Sequence, residues 1–263
     1  MLDIAYCIQT AIWTSSTIDN GVTSSIRDVR HMAIRRDDYT CQGCGCYSSV
    51  SKHDLWCGLE VHHADDNPNN DSPDNLVTVC PLCHGILHLD LMLREGNMPG
   101  RFLWTEAVSQ IHLNMITHVR AVAELLTAEL EAGPPPMDHA LERAQSLRDK
   151  CRKLYAALNE LALPAGLPDL QERKDGGLLM SKSPAIFGSV LGEFVRSNPT
   201  ARERDAVARH LRPLRWLYDW EADVKAKCYA DASVWNEEGD WQKNWTFLEQ
   251  TVLNTLKAQG GMP

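Results

Sequence analysis

Two cysteine pairs, Cys41-Gln42-Gly43-Cys44 and Cys80-Pro81-Leu82-Cys83, have the spacing of metal ligands. In a C-x-x-C pair one turn of backbone aims both sulfurs at a common point, and two pairs supply the four thiolates of a closed tetrahedral zinc site. Between the pairs lie Leu59-Glu60-Val61-His62-His63 and Asn75-Leu76-Val77, and His84 and His88 follow the second pair. Neighbouring strand residues face opposite ways, so His62 and His63 can do different work, one holding metal and the other facing water. His84 and His88 share a helix face at i and i+4. Together with His62 they make a three-nitrogen site with open coordination positions, and Asn75 can hold the base through its amide. Phosphodiester hydrolysis needs this inventory: a metal on the phosphate and leaving oxygen, a base for water, and a group that orients the base.

Blander readings stand beside these. His84 can cap or support the zinc site, His88 can be a polar residue on a helix surface, and Asn75 can be the second half of an Asp74-Asn75 turn. Asp65 and Asp66 can bind metal or remain solvated loop charges. Cys46 can compete with Cys44 for the ion. A redox dithiol is the competitor to zinc, but two separate pairs suit a metal better than disulfide exchange. His31, His53, His112, His118, His139 and His210 show no site-like spacing.

The elements that must position these groups follow from the pattern. Leu59–His63 and Leu76–Cys80 read as short strands around a polar loop rich in turn formers, 65–74. Pro81 suits a first helical turn, and that helix runs through Leu82, Ile86, Leu87 and Leu91 to end near Gly96. Next, Ile111, Met115, Val119, Val122, Leu126 and Leu130 make one apolar helix face. Gly133-Pro134-Pro135-Pro136 stops it. Leu141, Ala144, Leu147, Cys151, Leu154, Leu158 and Leu161 repeat the pattern, so a helical hairpin is expected. Residues 163–182 read as a linker, and Ser183-Pro184 opens a further helix through Ile186, Val190 and Phe194. Trp216 with Trp220, and Trp241 with Trp245, share helical faces and read as packing residues. The organisation is an N-terminal arm (1–35), a cysteine and histidine module (36–100) and a mainly helical region (101–263) with its hairpin broken at 133–136.

Composition narrows the function. The chain has 263 residues, 44% of them apolar, and a net charge of −9. That charge gives no global attraction to nucleic acid or to an anionic membrane. No apolar run approaches a membrane span, and Met1 to Thr14 lacks the basic residues of a secretory leader. Nine cysteines without an export signal point to a reducing cytoplasm and metal binding rather than a disulfide framework. Cys7, Cys57, Cys151 and Cys228 read as small buried apolar side chains. From Arg36 to Glu95 there are ten acidic residues, against Arg36, Lys52 and Arg94, a balance that opposes a nucleic-acid groove. Arg27, Arg30, Arg35 and Arg36 at the module's edge, and Arg202, Arg204, Arg209, Arg212 and Arg215 downstream, either line such a groove or are solvated faces.

The ordered string Arg36-Asp37, Cys41-x-x-Cys44, Leu59-Glu60-Val61-His62-His63, Asn75-Leu76-Val77, Cys80-x-x-Cys83-His84 and His88 resembles the HNH endonuclease family, over residues 36–92. The resemblance implies an α+β chain: a treble-clef (ββα-metal) zinc module followed by a mainly α-helical domain. It implies that His62 is a metal ligand, His63 the general base, Asn75 its orienting partner, and His84 and His88 further metal ligands. The cofactors implied are a structural zinc at Cys41, Cys44, Cys80 and Cys83 and a second divalent metal (Mg2+, Mn2+, Ni2+ or Zn2+).

A longer, patchier likeness joins the arm with Trp13, Arg36-Asp37-Asp38-Tyr39-Thr40-Cys41-Gln42, Ser183-Pro184-Ala185-Ile186-Phe187-Gly188 and Leu211-Arg212-Pro213-Leu214-Arg215. This arrangement resembles the IcmJ/DotN family of type IVB secretion and related conjugation systems. It implies a cytoplasmic protein, recruited to the inner membrane by the other subunits of a coupling complex, with DNA as a further partner if cleavage is retained. Those relatives have lost the paired and late histidines, whereas this chain keeps them. The functions expected are therefore an HNH-type protein of a DNA-transfer apparatus that cuts DNA, a non-catalytic zinc-stabilised adaptor, or a finger that binds nucleic acid without cleavage.

Overall fold

The computed structural model describes residues 24–46, 58–94, 99–106, 108–134, 139–160 and 184–219, with residues 250 and 254. The readings of Trp13, the linker 163–182, Trp220, Trp241 and Trp245 lie outside the described residues.

Strands β1 (Glu60–His63) and β2 (Leu76–Val79) pair antiparallel, with Glu60 opposite Val79, His62 opposite Val77 and His63 opposite Leu76. Helix α1 (Ser24–Arg36) packs on both strands and buries Ala33 and Ile34. At its end Arg36 pairs with Asp37 at 2.8 Å and donates to the carbonyls of Pro73 (2.6 Å) and Leu76 (2.7 Å), fastening the helix to the start of β2. Helix α2 (Pro81–Leu87) begins with Pro81 in its first turn, and the sulfur of Cys80 caps it by accepting the Cys83 N–H at 3.4 Å.

The helix expected to continue to Gly96 instead breaks at His88 (φ −115°, ψ 37°) and resumes as α3 (Leu89–Arg94). The break turns Leu89, Asp90 and Leu93 onto α6 (Pro184–Arg196). The close fit there depends on Gly188, where a Cβ would stand 2.9 Å from the Asp90 carbonyl oxygen and 2.9 Å from Leu93 Cβ.

Helices α4 (Gln110–Ala132) and α5 (Ala140–Glu160) form the expected hairpin. Ser109 caps α4 by accepting the His112 N–H, and Gly133 closes it. Leu113, Ile116, Val119 and Ala123 pack against Cys151, Leu154, Tyr155 and Leu158. Helix α7 (Ala201–His210) opens on a reciprocal capping box between Thr200 and Glu203.

Strands β3 (Gly100–Trp104) and β4 (Leu214–Tyr218) pair antiparallel over all five residues of each, with Gly100 opposite Tyr218 and Trp104 opposite Leu214. Trp216 therefore lies on a strand, not on the helical face expected from its spacing to Trp220. All five residues of β4 are buried. The strand is covered on both faces and loses the polar–apolar alternation that marks a strand in sequence. Phe102 and Trp216 enter one core with Leu82, Ile86, Leu89, Phe187 and Leu191, whereas Leu103 and Leu217 enter the core of the helical hairpin. The first core runs through residues on both sides of position 100. The architecture is α+β, with two small antiparallel sheets among helices in the described residues. No helix among the described residues is long and apolar enough to cross a membrane.

Candidate metal centre

The first cysteine pair sits on a turn that follows two left-handed residues, Asp38 (φ 49°) and Tyr39 (φ 52°). Gly45 (φ 74°) folds the chain back, so that Cys41 N–H donates to the Cys46 carbonyl at 2.8 Å and Gly45 N–H to the Cys41 carbonyl at 2.8 Å. Cys80 arrives from β2, with its N–H donating to Cys41 Sγ at 3.1 Å. The sulfurs of Cys41, Cys44, Cys46 and Cys80 all lie within 4.8 Å of one another. Cys83 stands beside this quartet, its N–H donating to Cys80 Sγ at 3.4 Å.

Cys44 Sγ and Cys80 Sγ are 3.7 Å apart. A disulfide needs about 2.05 Å. Two thiolates on one tetrahedral zinc, each about 2.3 Å from the ion, stand about 3.8 Å apart. The spacing therefore suits a shared ion. Cys41, Cys44, Cys80 and Cys83 are at most 5% exposed. Burying thiolates without a counter-cation would be costly, so the donor set fits structural zinc. Cys44 pushes the Cys41 thiol up, but Cys46, Cys80 and Cys83 together outweigh it and bring Cys41 down to about 4. In Cys83 the neighbouring sulfurs of Cys41, Cys44 and Cys80, together with burial, push the other way.

Helix α4 reaches into this cluster. Asn114 Nδ2 donates to Cys83 Sγ at 3.2 Å, and His118 Nε2 lies 3.2 Å from Cys80 Sγ. One turn earlier Gln110 Nε2 donates to Asn114 Oδ1 (3.0 Å) and to the Trp216 carbonyl (2.8 Å), while its Oε1 accepts the Trp216 N–H (2.8 Å). A buried polar stripe thus links β4 to the sulfurs. The sequence signal was Gln110, Asn114 and His118 at four-residue intervals along an apolar helix. Each buried polar group needs a partner, and theirs are far away in sequence.

The second cluster is formed by His62, His84 and His88, whose ring nitrogens can converge within 4.8 Å. The β1–β2 register turns Glu60 and His62 to one face, toward α2. His84 lies within α2 and His88 caps its end, with the His88 N–H bound to the His84 carbonyl at 3.1 Å. The three ring centroids are 5.4, 5.1 and 4.8 Å apart. Glu60 Oε2 lies 2.5 Å from His84 Nδ1. A carboxylate there favours the proton on Nδ1 and leaves Nε2 as the lone-pair nitrogen. Burial, then the neighbouring His84, pushes His62 and His88 down, to about 3 and about 4. Both are therefore neutral at pH 7, the state that binds metal.

His63 turns to the opposite face, where its Nε2 lies 3.0 Å from Asp71 Oδ1. Asn75 is engaged elsewhere: its Oδ1 accepts the Asp65 N–H at 2.9 Å, and its Nδ2 donates to Asp65 Oδ1 (2.7 Å) and to the Asn70 carbonyl (2.8 Å). It thus closes the loop between the strands, and the carboxylate beside His63 is Asp71. Asp65 serves as the hub of that loop. Asp66, left-handed at φ 57°, is buried, with its Oδ1 4.0 Å from His88 Nδ1.

Comparison with known proteins finds no match to this chain, either among protein-family models or among curated proteins. The functional reading therefore rests on geometry. Four groups were not legible as functional from sequence: Glu60, Asp71, Asn114 and His118. Glu60 did carry a signal, since a residue two before His62 on a strand shares its face. Among the downstream arginines, Arg215 donates to the carbonyls of Val108, Arg212 and Leu214 and is a buried structural residue, while Arg202, Arg209 and Arg212 are exposed.

Proposed function

We propose that this chain is an HNH-like, metal-dependent phosphodiesterase built on a zinc-stabilised hairpin and helix, serving a bacterial type IVB secretion or conjugative DNA-transfer apparatus. The observation that carries the catalytic part is His62 Nε2. It is buried and has no hydrogen-bond partner among the described residues, yet its ring stands within 5.4 Å of those of both His84 and His88, centroid to centroid. An orphaned buried polar atom costs about 1–3 kcal/mol, and ligation of a divalent ion removes that cost. Three converging imidazoles, one backed by the Glu60 carboxylate, fit such an ion. When bound, the ion would supply charge stabilisation for the phosphate and the leaving oxygen. Asp71 holds His63 by Nε2, which leaves Nδ1 to accept a proton from water. Cys41, Cys44, Cys80 and Cys83, with Cys46 adjacent, would hold zinc and keep α2 against the hairpin.

The test is plasmid nicking with Mg2+, Mn2+, Ni2+ or Zn2+, beside His62→Ala and His63→Ala. Cleavage by wild type, lost in both variants while one zinc per chain is retained, supports the enzyme. Absence of cleavage with every metal rejects it.

A second reading is a non-catalytic adaptor of a coupling complex, and local charge favours it. Residues 58–94 contain Glu60, Asp65, Asp66, Asp71, Asp74 and Asp90 against Arg94 alone, which repels a phosphate backbone. Co-purification with a membrane-associated ATPase, without nicking, supports the adaptor. Salt-sensitive DNA binding without cutting supports the binding finger instead.

A further inference from the structure

Zinc in a closed thiolate site takes four sulfurs, yet five gather here. The sulfur of Cys46 lies within 4.8 Å of those of Cys41, Cys44 and Cys80, and Cys83 stands beside Cys80, its N–H donating to Cys80 Sγ at 3.4 Å. The two differ in setting. Cys83 is fully buried within α2 and accepts the Asn114 amide N–H at 3.2 Å. Cys46 is partly exposed, immediately after the left-handed Gly45, and its backbone carbonyl accepts the Cys41 N–H at 2.8 Å. By spacing Cys46 looked like a rival of Cys44, but Cys44 and Cys46 both belong to the compact sulfur quartet and Cys83 falls outside it.

We propose that Cys46 and Cys83 are interchangeable fourth ligands: an ion held by Cys41, Cys44 and Cys80 takes either sulfur and passes between two four-thiolate shells. Cys83 is held by its helix and by Asn114, whereas Cys46 lies on a turn and is only partly buried against the core. Cys46 is the less buried of the two residues, so an entering or departing ion meets it before Cys83. It also gives ligand exchange a direct path, because the fifth thiolate can approach before the fourth leaves. Each exchange breaks one metal–sulfur bond and one S–H bond and forms one of each: the incoming thiol releases its proton as it binds the ion, and the departing sulfur takes it up. The inference rests on the sulfur geometry alone and is independent of whether the histidine cluster cuts DNA.

The test uses full-length protein loaded with Co2+, read by the sulfur-to-cobalt charge-transfer band, to which imidazole ligands do not contribute. Cys46→Ser and Cys83→Ser should each keep wild-type intensity, and the double variant should lose about a quarter of it, four thiolates becoming three. If Cys83→Ser alone loses that quarter, Cys46 does not substitute and the proposal falls. It falls equally if Cys46→Ser alone loses it, since Cys83 is then no ligand. Should Cys83→Ser fail to fold, zinc transfer from the folded wild type and Cys46→Ser to a chromogenic chelator decides. Exchange through the fifth thiol makes the variant several-fold slower, and equal rates overturn the proposal.

Discussion

Asn114 Nδ2 lies 3.2 Å from Cys83 Sγ, joining a helix of the hairpin to the cysteine cluster across thirty-one residues of sequence. An N–H donor directed at a thiolate stabilises its charged form and orients it. His118, one turn on and 3.2 Å from Cys80 Sγ, makes the second such contact.

Replacing these donors should weaken zinc and fold together. Asn114→Leu or His118→Leu should each lower zinc affinity roughly tenfold or more. Each should also destabilise the zinc-loaded protein by about 1–3 kcal/mol through the unsatisfied acceptor. Competition with a chelator and urea unfolding measure the two effects. A variant that loses stability at unchanged zinc affinity would reduce the contact to packing.

The buried imidazoles set a pH dependence. His62 and His88 have folded pKa values near 3 and 4, below the usual 6.5. As pH falls through 6.5 the unfolded chain takes up protons that the folded chain refuses. Their contribution is therefore fully present above pH 6.5 and is lost progressively as pH falls toward 4 and then 3. Urea midpoints of protein without metal in the histidine cluster should fall over this range. His62→Leu should show a shallower decline; an identical slope in wild type and variant would contradict the buried neutral state.

If the chain cleaves phosphodiesters, His63→Ala should lower the rate by about 10²–10⁴-fold, the range for loss of a general base. Asp71→Ala should give a smaller loss with zinc content unchanged, since Asp71 orients His63 through the 3.0 Å contact. Single-turnover nicking separates these outcomes from altered DNA binding.

The docking of α3 on α6 should be intolerant of volume. Gly188→Val places atoms where even a Cβ would stand 2.9 Å from the Asp90 carbonyl oxygen. Overpacking of this kind costs about 1–3 kcal/mol, measurable as a lower denaturant midpoint. Helix α3 adjoins His88, so metal binding at the histidine cluster should weaken in parallel.

Local chemistry was legible in sequence wherever a residue and its near neighbours suffice. The C-x-x-C spacing, Pro81 opening α2, the Gly133 stop and the 3.6-residue periodicity of α4 and α5 are short-range properties of backbone and burial. So was the grouping of His62 with His84 and His88, because strand and helix periods assign faces. The tertiary structure decided what depends on distant partners. It set Asp71 beside His63 while Asn75 closes the loop, put Asn114 and His118 on the sulfurs, brought Cys46 into the quartet, and buried Trp216 on a strand opposite Phe102. The sulfur contacts of Asn114 and His118 and the Phe102–Trp216 pair need segments to meet after long stretches of chain, while the Asp71 and Asn75 contacts depend on how one loop folds over eight to ten residues; in neither case does local spacing encode which polar group or apolar face will find which partner.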